Sequence, residues 1–167
     1  MFKNNKVVKI LKSILIILIL IILARNLVFK MENQLQIELL NKWKDNSLIK
    51  FTNLINKDYN RICVINPYES NIDNDENSNE INQMNSYLKK ISYVGDEKNW
   101  AFVMSIDNNI ELFEFNRGEI DIFSSISNSK IKLPDNFLPN KCVNSKSGFL
   151  YLFENEKRKY IILGEVK

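Results

Sequence analysis

Residues 99–123 read NWAFVMSIDNNIELFEFNRGEIDIF, and their pattern decides the fold class. Trp100, Phe102, Met104 and Ile106 alternate with Ala101, Val103 and Ser105, a period of two that sends successive side chains to opposite faces of a strand. Asp107-Asn108-Asn109 supplies a hairpin turn, because Asn and Asp tolerate positive φ, and 110–115 returns as a second strand. Arg117-Gly118 turns the chain again, and 119–123 is expected as a third strand with Ile120 and Ile122 on one face.

Toward the C-terminus, 124–140 reads as a connection marked by Pro134 and Pro139, followed by strands at 141–144, 149–153 and 160–164. Toward the N-terminus, 61–66 reads as a buried strand ended by Asn66-Pro67, and 69–80 is an acidic, polar loop. An Asn or Ser at 77–79 can cap a helix whose apolar positions are Ile81, Met84, Tyr87/Leu88 and Ile91. Before that, Met31, Leu35, Leu39 and Trp43 recur at four-residue steps, which predicts a helix packing on its own domain or meeting a partner. Asp45-Asn46-Ser47 then reads as a stop and a fresh cap, with Leu48, Phe51, Leu54/Ile55 and Tyr59 forming a second short helix.

The segment 7–28, VVKILKSILIILILIILARNLV, is different in kind. A hydrocarbon core about 30 Å thick needs roughly 20 apolar helical residues. This segment reaches that length with only Lys9, Lys12 and Arg25 interrupting it near its ends, where cationic side chains can snorkel. No small-x-small cleavage site follows, so an uncleaved signal anchor is preferred to a cleaved signal peptide. Lys3, Lys6, Lys9 and Lys12 precede the apolar core and only Arg25 and Lys30 follow closely, which orients the N-terminus to the cytoplasm. The expected location is a bacterial inner membrane, single-pass, with the C-terminal domain in the periplasm.

The expected fold class is therefore α+β: an N-terminal transmembrane helix, then two or three helices packed on an antiparallel sheet of about six strands. Residues 1–30 would be the anchor, 31–60 juxtamembrane amphipathic helices, and 61–167 the extracytoplasmic domain.

Charge supports this division. Residues 1–30 hold six of the 23 basic residues and none of the 20 acidic ones, leaving a net charge of −3 on the remainder. The folded part thus offers no electrostatic case for nucleic acid. The chain has no His, which removes Ser-His-Asp and Cys-His nucleophilic systems and imidazole metal sites. Its four Gly residues are widely separated, so no phosphate-cradling loop exists. No cofactor is expected, and the protein is not expected to be an enzyme.

Four groups of residues remain as candidates. Cys63 and Cys142 are the only cysteines, and in an exported domain an even count points to a disulfide. Asp73, Asp75 and Glu76 look like the start of a calcium loop, but Ser78 stands where Gly is needed and Met84 where the bidentate Glu is needed. A solvated acidic loop steering a basic partner fits better, so Asp73, Asp75, Glu76 and the aromatic Trp43 are the expected partner-facing residues. Glu111, Glu114, Glu119 and Asp121 are spaced as solvent-facing strand residues are. The aromatic set Trp100, Phe102, Phe113, Phe115, Tyr151 and Phe153 is expected in the core.

A membrane helix running into an amphipathic helix, then an antiparallel sheet with a disulfide, is similar to type IV pilins and pseudopilins. That family carries a Gly before its mature N-terminus and a Glu early in the apolar helix. Here no Gly precedes the segment and 14–24 contains no Glu. Two functions are expected. The first is a membrane-anchored, periplasm-facing protein-binding module, such as an immunity-type protein that neutralises an envelope-directed toxin. The second, which the resemblance implies, is a structural or assembly subunit of an envelope or secretion machine.

Overall fold

The computed structural model describes residues 14–19, 34–73, 78–106, 109–123, 131–144 and 146–167. Residues 14–19 are helical; the rest of the apolar segment 7–28 lies outside the described residues. Among those described, no helix is long and apolar enough to cross a membrane.

The domain is α+β, with two sheets packed face to face. Helix α1 covers 34–41 and is followed by β1 (Ser47–Lys50) and a 3-10 turn (Phe51–Asn53). Then come β2 (Arg61–Ile65), α2 (Asn79–Lys90), β3 (Asn99–Ile106), β4 (Asn109–Asn116) and β5 (Asp121–Ile122). The chain ends with β6 (Phe137–Pro139), β7 (Cys142–Asn144), β8 (Gly148–Asn155) and β9 (Arg158–Val166). One sheet has the order β4-β3-β2-β7 and is antiparallel throughout. The other has the order β1-β8-β9-β5, with β6 also on β9, and is mixed because β5 runs parallel to β9.

β3 is the strand around which the layers assemble. Its alternation is real, but both faces are buried, as expected of a central strand covered on two sides. Trp100, Phe102 and Met104 enter the cluster between the sheets, where they meet Leu150, Leu152, Ile161 and Leu163 of β8 and β9. Trp100 stacks on Phe115 at 4.3 Å, and Phe102 meets both rings and Phe51 edge-on. Each such pair adds about 0.5–1.5 kcal/mol beyond burial. The Trp100 indole N–H donates to the Ile120 carbonyl at 2.8 Å, so its polar edge is satisfied inside the core. The other face of β3 carries the smaller Ala101 and Val103, leaving room for α2.

α2 follows its expected pattern except at Ile91, which lies past the helix end and is exposed. The Ser78 hydroxyl accepts from the Ile81 amide, Glu80 lies in the first turn, and Lys89 and Lys90 in the last, all favourable to the helix dipole. Ile81, Met84 and Leu88 pack over Cys63 and Cys142. Those cysteines stand opposite each other on β2 and β7 and are joined in a disulfide, with Cα atoms 4.1 Å apart. The Val64 amide donates to the Lys141 carbonyl one step along, which makes Cys63–Cys142 a non-hydrogen-bonded pair, the closer of the two pair types.

Leu35 and Leu39 of α1 are buried in the inter-sheet cluster together with Phe51, Leu54 and Tyr59. The apolar stripe of α1 is thus used inside the domain; Met31 lies outside the described residues. Three expectations need correction. The second helix expected over Leu48–Tyr59 is instead β1, the 3-10 turn and an irregular stretch. Its supposed cap is consumed elsewhere: the Asp45 carboxylate accepts from the Glu154 amide at 2.6 Å, and the Ser47 hydroxyl donates to the Lys44 carbonyl. Leu48 and Ile49 then face opposite sides of the sheet against β8.

The single antiparallel sheet of about six strands is two sheets of five and four strands. The strand expected at 119–123 narrows to β5 and does not pair with β4. The Asn116 carbonyl takes the Glu119 and Ile120 amides, which turns the chain out of the first sheet and onto β9 of the second. The connection 124–140 also contributes β6. There Gly164 has a packing reason, because a Cβ would occupy the space of the Leu138 carbonyl oxygen and the Phe137 ring.

Candidate functional site

One end of the sandwich collects turns from both sheets: the 66–70 turn, the 93–98 loop, the 116–120 turn and the β8–β9 hairpin tip. Its centre is Asp121, which the strand pattern places in solvent but the fold buries to 2% exposure. A carboxylate at that depth must be paired. The Arg117 guanidinium grips it through two bonds, Nε to Oδ1 at 2.7 Å and Nη2 to Oδ2 at 3.0 Å. Arg158 adds a third contact, Nη2 to Oδ2 at 3.0 Å. The hydrogen bonds and charge of Asp121 hold the Arg117 guanidinium above its ordinary value despite some burial.

One carboxylate thus fixes two cations at the surface, and from them a strip of aromatic and basic side chains extends both ways. Arg117 donates to the Glu97 carbonyl at 3.0 Å, and the Tyr68 hydroxyl lies 3.4 Å from the Glu97 carboxylate. Arg158 also donates to the Arg117 carbonyl at 3.1 Å and stands over the Tyr160 ring. The next residue, Lys159, lies over the Trp43 ring at 5.3 Å, and the Trp43 indole donates to Glu154 at 3.1 Å. A groove of about 540 Å³ between these halves is lined by Leu40, Gly118, Glu119, Lys157, Arg158 and Lys159. Tyr68 is 69% exposed, a large aromatic surface left in solvent.

The backbone here is strained. Glu156 and Lys157, the two central residues of the hairpin, have φ of 50° and 65°, and Tyr68 has φ of 67°. Two consecutive positive φ values define the turn that matches strand twist, which usually takes Asn-Gly. Non-glycine residues there cost on the order of 1 kcal/mol each, and such strain clusters at functional surfaces.

Of the residues singled out from sequence, Trp43 lies at one end of this strip, half-buried against the core. Asp73 is exposed, and Asp75 and Glu76 lie outside the described residues. The four strand carboxylates are not brought together. Glu111 pairs with Lys57 at 2.8 Å, Glu114 neighbours Tyr93, Glu119 takes the Gln36 amide, and Asp121 holds its two arginines. The aromatic set divides: Trp100, Phe102 and Phe115 fill the inter-sheet core with Phe113 packed beside them, whereas Tyr151 and Phe153 lie on the outer face of the second sheet with Phe123 and Tyr160.

Arg117, Asp121, Arg158 and Tyr68 carry no sequence signal beyond two faint ones. Arg117 and Asp121 are four apart across a Gly turn, and Lys157-Arg158-Lys159 clusters charge at a hairpin tip. Comparison with known proteins gives no match, whether to a family model, a curated protein or a solved structure.

Proposed function

We propose that this chain is a membrane-anchored, periplasm-facing protein-binding module, of the kind that neutralises an envelope-directed toxin. The observation that carries the binding reading is the Tyr68–Arg117–Arg158 strip. Tyr, Trp and Arg are the residues that dominate binding energy at protein interfaces, and here the two arginines are held at the surface by a buried carboxylate. Such anchoring lowers the ordering cost that a partner would otherwise have to offset.

The compartment is argued from the Cys63–Cys142 disulfide, since such bonds persist in oxidising surroundings such as the periplasm. The apolar segment 7–28 and its preceding lysines supply the tether. An assembly subunit would offer the stripe of Leu35, Leu39 and Trp43 as its contact, and burial of Leu35 and Leu39 in the core weighs against that use.

The test is crosslinking in intact envelopes, followed by purification of the full chain in detergent. A stoichiometric protein partner should be recovered, and Arg158→Glu together with Tyr68→Ala should abolish its recovery. A chain found only in the cytosolic fraction with both thiols reduced would refute the reading, as would capture indifferent to both substitutions.

A further inference from the structure

The apolar segment 7–28 joins the domain at α1, and α1 is fixed to the body from its first turn. Leu35 and Leu39 are buried in the inter-sheet cluster. Gln36 is 4% exposed, and its side-chain amide bridges the turn after β4. The amide oxygen accepts from the Asn116 N–H at 3.0 Å, and the nitrogen donates to the Glu119 carboxylate. Asn116 and Glu119 flank Arg117, the arginine that Asp121 holds in the strip. The chain therefore enters the domain about one glutamine side chain away from the Tyr68–Arg117–Arg158 surface.

The length before α1 bounds how far that surface can stand from the bilayer. Gln34 follows Val28 by six positions. Whatever path those residues take, they span at most about 22 Å. The step from Gln34 to Gln36, one side chain and one hydrogen bond add about 15 Å. With 7–28 in the membrane, Arg117 is thus held within about 35 Å of the surface at all times. The opposite end of the sandwich, beside Lys146, lies farther along β8, whose eight residues cover about 25 Å.

We infer that the strip docks a protein embedded in the same membrane, at its periplasmic surface. This rests on the binding role proposed above and names the class of partner. A short tether ending beside the binding surface keeps that surface in the layer where a membrane protein presents its loops. Encounter there takes place at a high effective concentration, an advantage that a partner diffusing through the periplasm does not share. Lipid headgroups fit the strip less well. Arg117 and Arg158 already share Asp121, and Glu119 lies in the groove beside Lys157 and Lys159, so the surface offers anionic lipid no excess of positive charge. Its rings and partnered guanidinium groups suit a protein surface instead.

The test places a photo-reactive phenylalanine derivative with a cleavable arm at Tyr68 of the full chain, and in a second form at Lys146. Both forms should keep the Cys63–Cys142 disulfide, the sign that the domain has folded. Irradiation of intact envelopes should give a protein adduct from position 68 and little from position 146. After cleavage of the arm, that protein should stay with the bilayer through an alkaline wash. A flexible spacer of about 20 Gly and Ser residues between Lys30 and Met31 lengthens the tether from about six residues to about 26, so adduct yield should fall about ninefold, as the three-halves power of length. A partner that the wash removes, or a yield indifferent to the spacer, would overturn the inference and leave the binding role standing. Adducts consisting of lipid would overturn it by making the bilayer the occupant. Absence of any adduct from position 68 would remove the binding role and the inference together.

Discussion

Reduction of Cys63–Cys142 is the perturbation whose magnitude the structure sets most directly. The two cysteines are 79 positions apart. Closing a loop of that length removes about 15 cal/mol/K of entropy from the unfolded chain, or about 4.5 kcal/mol at 25 °C. For a domain whose net stability is about 5–15 kcal/mol, this is a large share. The bond also ties β7, a three-residue strand whose sole sheet neighbour among the described strands is β2. Urea unfolding of the full chain in detergent, followed by fluorescence of the buried Trp100, reads the effect. With m of about 2 kcal/mol/M, reductant should lower the midpoint by about 2 M, and the less compact unfolded chain should make the transition somewhat steeper. Cys63→Ala with Cys142→Ala should reproduce most of that loss and no longer respond to reductant. A shift worth less than about 1 kcal/mol, or a double variant that still responds, would refute the loop argument.

Asp121→Asn removes the charge on which two guanidinium groups converge, and should destabilise the domain by about 2 kcal/mol. That is below the usual cost of breaking a buried pair, because Arg117 and Arg158 remain partly solvated; chemical denaturation measures it, and an unchanged midpoint would contradict the geometry. Glu156→Asn with Lys157→Gly should raise stability by about 1–2 kcal/mol by relieving two positive-φ residues, read as a higher Tm. Glu69 sets a pH dependence. Burial alone would raise its carboxyl, but hydrogen bonds from Asn66 and Lys141, with the Lys141 charge, outweigh it and hold the group below its ordinary value. Its contribution is therefore present at neutral pH and lost as pH falls from the ordinary carboxylate range through the lowered folded value. Because the pair is partly exposed the effect should be under about 1 kcal/mol, and Lys141→Met should flatten the acid limb of a stability–pH curve.

The two structural surprises share one origin. Asp121 reads as an outward strand residue because Ile120 and Ile122 flank it, and alternation assigns it to the solvent side. That inference holds only while the strand stays in the sheet of its predecessors. Once β5 crosses to β9, the outward side of the chain faces Arg117 and Arg158. Leu48–Tyr59 fails for a related reason. Its apolar spacing fits a helix, but the pairing of β1 with β8 and the capture of Asp45 by the Glu154 amide satisfy the same residues in a strand. Neither partner is within reach in sequence.

By itself the sequence determined the local elements: the β3–β4 pair, the capped α2, the strands around both cysteines, and an apolar stripe at Leu35 and Leu39. Each is specified by side chains a few residues apart, through alternation, capping or turn chemistry. It also carried the compartment argument, since an apolar segment and two cysteines are compositional facts. Only the tertiary structure decided how the strands divide between two sheets, and that Arg117, Asp121, Arg158 and Tyr68 share one surface. Those outcomes depend on backbone pairings between segments as much as 105 positions apart, as when Ser47 of β1 stands opposite Leu152 of β8, and no local pattern encodes them.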